Sequence, residues 1–111
     1  MKLIKATDSI PYEAKKHFNC WSAIKITPET GSKKIDIRYS HFLPNGGAEM
    51  SASPAERVYF LLEGNLICKG TNEEHHLAPG DMIYIAPGED RSIEVEHNKP
   101  ATTLVIIGKI D

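Results

Sequence analysis

The sequence has no run of about 18 apolar residues, the length a helix needs to cross a bilayer. It has no strong excess of charge either. Thirteen Lys and Arg stand against 15 Asp and Glu, a net charge of −2, so bulk charge drives the chain toward neither nucleic acid nor a membrane surface. No stripe of basic and aromatic residues adds a nucleic-acid signal. No glycine-rich loop leads into a helix, which excludes the phosphate-loop nucleotide enzymes. No Cys/His or Ser/His/Asp signature stands in its usual context. Cysteine is scarce: Cys20 and Cys68 both sit in apolar, strand-like segments. Two buried reduced thiols are expected, a disulfide or reactive thiol being the alternative. Met1-Lys2-Leu3-Ile4-Lys5 opens no long apolar leader, and a cytoplasmic protein is expected.

What remains is a series of short apolar segments punctuated by Gly and Pro. Lys33 to Phe42 alternates most clearly: Ile35, Ile37, Tyr39 and His41 share one face, and Asp36, Arg38 and Ser40 the other. That is the period of a half-buried strand, with the apolar face, His41 included, expected inside. Pro44-Asn45-Gly46-Gly47 predicts a turn, followed by a short strand from Ala48 to about Ala52 that Pro54 interrupts. Arg57 to Leu62 reads as a buried strand, with Glu63-Gly64-Asn65 closing a hairpin into Leu66–Lys69. Further strands are expected at 20–27, 75–77, 82–85, 91–96 and 102–107. Eight or nine strands without a helix predict one all-β domain, a sandwich or barrel, over residues 1–111, with 1–16 as an arm and the barrel at about 20–108.

Two segments carry a resemblance. Gly47, Ser51, Ser53, Arg57 and Gly64 fall where the first motif of the cupin superfamily has a glycine, two histidines, a glutamate and a glycine. Gly80-Asp81-Met82-Ile83-Tyr84-Ile85-Ala86-Pro87-Gly88 resembles the start of the second motif, with Ala86 at the usual proline. Its metal-binding histidine falls at Arg91 and its later asparagine at Val95. The resemblance spans about residues 35–107 and implies an antiparallel jelly-roll barrel of the small, single-domain kind. All four metal positions differ from the pattern. A serine hydroxyl is a poor ligand for a transition metal and a guanidinium is none, so neither metal nor cofactor is expected.

The strand parity then predicts a pocket. Ser51, Ser53, Arg57, Tyr59 and Arg91 point inward, with Glu49 nearer the mouth and His41 close to the turn. Guanidinium groups bind carboxylates and phosphates through paired donors, so the expected ligand is a small anionic or carbonyl-bearing molecule. A competing reading leaves the arginines at the rim, Arg57 paired with Glu49 or Glu56 and Arg91 with Glu89, Asp90 or Glu94. A one-residue slip at Pro54 turns Glu56 inward instead of Arg57. His41 with Glu49 offers a displaced metal site or an acid/base pair, set against a hydrogen-bonded rim histidine. His17 is placed to fold over the barrel mouth, whereas His75, His76 and His97 read as surface. Whether the domain only binds, or isomerises, epimerises or cleaves a small acid or sugar derivative, stays open. A homodimer is expected, with the apolar last strand in need of cover.

Overall fold

A computed structural model describes residues 1–109; Ile110 and Asp111, the end of the expected domain, lie outside the described residues. Nine strands follow in order: β1 (Ile10–Tyr12), β2 (His17–Ile26), β3 (Ile35–Ser51), β4 (Arg57–Glu63), β5 (Leu66–Lys69), β6 (Glu74–Leu77), β7 (Met82–Ile85), β8 (Arg91–Val95) and β9 (Ala101–Gly108). Helical structure among the described residues is one 3-10 turn, Pro28–Thr30, and no helix there is long and apolar enough to cross a membrane. Every strand pair is antiparallel. The order β6-β5-β8-β3-β9-β4-β7, with β1 and β2 added on the other edge of β3, makes an all-β jelly-roll barrel.

β3 is the spine, and here the expected break is absent. β3 runs on through Pro44 to Gly47 and bends there, its partner changing from β9 to β8. Its first half pairs with β9 from Ile35 to Phe42, and its second half pairs with β8 from Gly47 to Ser51. Asn45 takes a left-handed φ of 64° at the bend. At Gly47 a Cβ would collide with the Ile93 carbonyl and lie 2.9 Å from the Phe18 ring, so only glycine allows β8 this close.

Three further expectations change. Glu63-Gly64-Asn65 does not close a hairpin: β4 pairs with β7 and β9, and β5 with β6 and β8. Gly64, at φ 81°, carries the chain between sheets, so Leu61 and Leu66 enter one core from two sides. The last strand needs no cover at an edge, because β9 lies between β3 and β4. The faces of β3 are also the reverse of those expected. Asp36, Ser40 and Phe42 are buried inside, whereas Ile35 is 54% exposed and Ile37, Tyr39 and His41 line the outer surface. Period two defines two faces without saying which is inside. Here the inner face is the polar one, because this end of the barrel is hollow.

The closed end is filled by Phe42, Leu61, Leu66, Cys68, Leu77, Ile93 and Ala101. Both cysteines are free. Burial pushes the Cys68 thiol up to about 11 and also raises Cys20, which is only half-buried.

Candidate functional site

The open end holds a cavity of about 860 Å³. Its floor comes from strand parity. Arg57, Tyr59 and Leu61 alternate inward along β4, with Val105 and Ile107 beside them on β9. The register at Pro54 is thereby settled: Arg57 lines the cavity, and Glu56 faces out to accept a hydrogen bond from Tyr84 Oη at 2.9 Å. A bulge between Ala48 and Ser51, with Glu49 and Met50 opposite Ser92 alone, brings Ser51 inward against Arg91. The same bulge removes Glu49 from the parity of Ser51, and its side chain is exposed outside the cavity.

Arg91 is 7% exposed. Its Nε donates to Tyr59 Oη at 2.8 Å, and its Nη1 donates to Ser51 Oγ at 2.8 Å and more weakly to the Ser51 carbonyl at 3.4 Å. Among the described residues no carboxylate pairs with it. Glu94 is engaged by Lys69 at 3.1 Å, and Glu89 accepts the Ala86 N–H at 3.0 Å. Arg57 likewise has no ion-pair partner among the described residues. Arg91 is buried and Arg57 partly exposed, so the cavity carries two guanidinium groups without a carboxylate partner among the described residues. Tyr59 accepts from Arg91 and therefore keeps its own proton for another acceptor.

Arg38 also lines the cavity, over the Tyr12 ring at 4.8 Å, but it is already neutralised. Its Nε and Nη2 donate to the two oxygens of Asp36 at 2.7 and 3.1 Å, and Lys109 adds a contact at 3.4 Å. Burial pushes the Asp36 carboxyl up, but Arg38 and Lys109 together outweigh it and hold the group below its ordinary value.

The arm contributes Tyr12, Glu13, Lys15 and Lys16 to the lining, and His17 follows at the start of β2. His17 stacks on Phe42, ring centroids 6.0 Å apart, and its Nδ1 meets the Lys15 carbonyl at 2.8 Å. Glu13 is the one carboxylate among the described lining residues, against Lys15, Lys16, Arg38, Arg57, Arg91 and Lys109. A chain of net charge −2 thus presents a positive pocket.

Of the sequence-predicted residues, Ser51, Ser53, Arg57, Tyr59 and Arg91 meet at this cavity; His41 and Glu49 do not. His41 lies on the outer face, its Nδ1 2.8 Å from Thr102 Oγ1, and among the described residues it makes no ion pair with Glu49. His76 is a surface group between Glu74 and Glu96, both at 2.8 Å, and their carboxylates raise its pKa. Sequence reasoning missed Arg38, Ser40, Tyr12 and Lys109. The signal for Arg38 and Ser40 was their common parity, assigned to the wrong side.

The donor set does not fit the metal that the fold commonly holds. Two hydroxyls and two guanidiniums occupy the ligand positions, and among the described residues no cluster of three or more His, Cys, Asp or Glu could hold an ion.

The family model described as Cupin domain matches residues 38–107. A Mycobacterium tuberculosis protein named beta-D-galactosidase is 30% identical over 108 residues, covering 96% of this chain and 93% of that one. A polyketide cyclase from Streptomyces resistomycificus superposes with a TM-score of 0.85 at 19% identity, over 97% of this chain and 79% of its own. A Thermotoga maritima protein described as a predicted oxalate decarboxylase gives 0.81 at 15% identity, over 98% of this chain and 100% of its own. At such identities the two structures speak for the fold alone.

Proposed function

This chain belongs to the cupin family, and from that premise we propose that its barrel binds a small organic anion, a hydroxylated carboxylic acid, through arginine rather than through a metal ion. The observation that carries the reading is the pair Arg57 and Arg91, both on one cavity and neither paired to a carboxylate among the described residues. Guanidiniums take a carboxylate through two parallel N–H donors. Tyr59, Ser51 and Ser53 supply hydroxyls suited to a polyhydroxylated body. The sugar named for the Mycobacterium tuberculosis relative agrees with such a body.

Isothermal titration with D-galacturonate and D-gluconate, against neutral D-galactose, tests this. The acids bind and the neutral sugar does not. Arg57→Ala weakens the acids by roughly 10- to 100-fold, the loss of one charge-assisted contact. Equal binding by wild type and Arg57→Ala, or no binding of either acid, overturns the reading.

A second reading, hydrolysis of galactosides, is favoured by the relative's name. Glycoside hydrolysis usually needs two carboxyl groups flanking the bond. Glu13 alone lines this cavity among the described residues, and Asp36 is sealed beneath Arg38. Turnover of a chromogenic β-galactoside, abolished by Glu13→Gln, would replace the first reading with this one. An isomerase or epimerase would instead draw on the Tyr59 proton that Arg91 leaves free.

A further inference from the structure

His17 has no part in the reading above, yet it reaches the same cavity from the start of β2. Its Nδ1 lies 2.8 Å from the Lys15 carbonyl oxygen. A carbonyl cannot donate, so the proton of that bond belongs to Nδ1. In the neutral ring Nε2 is then a bare acceptor. Among the described residues it has no protein partner, and the stack on Phe42 restrains the ring.

The charges around it are mostly positive. Lys15 and Lys16 flank it on the arm, Arg38 comes from β3, and Lys109 lies beyond β9. Arg57 and the Tyr59 phenol come from β4, and Arg91 comes from β8. Glu13 is the one carboxylate facing the cavity among the described residues, and it is exposed. Burial lowers the pKa of His17; the Lys15 carbonyl opposes this, and the charges of Arg91 and Arg57 reinforce it.

We propose that His17 makes this a proton-coupled anion site: the empty pocket keeps Nε2 an acceptor, and a seated carboxylate draws a proton onto Nε2, which then donates to the ligand. The step is a protonation alone, the proton coming from solvent and ending on Nε2. The ligand cancels the charge of Arg57 and Arg91 that opposed an imidazolium, and it gives the new N–H an acceptor. The inference rests on the anion-site reading and adds a third donor to it. Because the bound state carries the extra proton, affinity rises as pH falls from above the bound-state pKa. It levels off once His17 is charged in the empty pocket as well. One coupled proton allows up to about a tenfold gain per pH unit within that window.

The experiment is calorimetric titration of D-galacturonate between pH 5.5 and 8, in cationic buffers of different protonation heat. The ligand stays ionised throughout, since carboxyl groups titrate near ~4. The expected result is net proton uptake of up to one per site, absent in His17→Gln, whose affinity becomes flat with pH. Nitrogen-15 spectra of the wild-type imidazole give a readout independent of that variant. Neutral His17 carries its proton on Nδ1, and adding galacturonate near pH 7 converts the ring to the imidazolium. Binding without proton uptake, uptake that survives in His17→Gln, or an empty-state ring protonated on Nε2 overturns this inference and leaves the anion site standing. Absence of binding at every pH overturns both.

Discussion

Asp36 shows how much one side chain decides here. It is fully buried, and two cations converge on it from different parts of the chain. Its removal would leave Arg38 and Lys109 facing each other with nothing between, so Asp36→Asn is expected to cost roughly 3 kcal/mol at neutral pH. The sign of the pH dependence follows from the depressed carboxyl. Its stabilisation is fully present above the ordinary value of 3.8 and is lost as pH falls through the lower folded value. Urea unfolding of the two proteins should therefore show a constant gap from pH 5 to 8 that closes below pH ~4. A gap that instead widens in acid would mean that Asp36 is not the charged partner. Arg38 is satisfied by this pair and serves as wall, whereas Arg57 and Arg91 have no carboxylate partner among the described residues.

Among the elements, β3 does most to place the site. Its bend carries one strand from the β9 side of the barrel to the β8 side, and its bulge turns Ser51 onto Arg91. Between the two, at Gly47, β3 approaches the Ile93 carbonyl of β8 too closely for a Cβ. Gly47→Ala is expected to force β3 and β8 apart, with a loss of about 1–3 kcal/mol in urea unfolding. Because Ser51 lies just beyond, the same variant should bind D-galacturonate more weakly. Wild-type stability in that variant would mean that the approach at this position is looser than described.

At the scale of the molecule, the outer face of β2-β3-β9-β4-β7 is apolar across its width. Cross-strand neighbours form one row of Tyr39, Leu104, Phe60 and Met82 and a second of Ile37, Ile106, Val58 and Tyr84. Trp21 packs edge-on against Tyr39 at the β2 side. Trp21, Ile35, Met82, Tyr84 and Ile106 are all exposed. At roughly 200 Å² per large side chain they leave on the order of 500 Å² of open apolar surface, before the half-buried members are added. A stable dimer takes about 800 Å² per partner, and a twofold pairing of this sheet with its copy would meet that need. Sedimentation velocity at micromolar concentration is expected to show a dimer. Met82→Lys with Ile106→Glu should shift it to monomer with galacturonate binding retained, because neither residue lines the cavity. A wild-type monomer under those conditions would leave this face without its assigned partner.

The sequence by itself determined most of the strands, the barrel class and part of the set of residues gathered at the cavity. Alternation, Gly and Pro punctuation and the motif spacing are local properties, and Ser51, Ser53, Arg57, Tyr59 and Arg91 were legible from them. The tertiary structure alone decided which face of β3 is interior, that Pro44–Gly47 bends a strand instead of ending it, and that β4 and β5 part company at Gly64. It also brought Arg38 to the cavity and kept His41 and Glu49 away. The physical reason is that a period of two is blind to inside and outside. A hollow barrel end buries polar side chains and the outer sheet face exposes apolar ones, so hydrophobicity along β3 points the wrong way until its neighbours are in place.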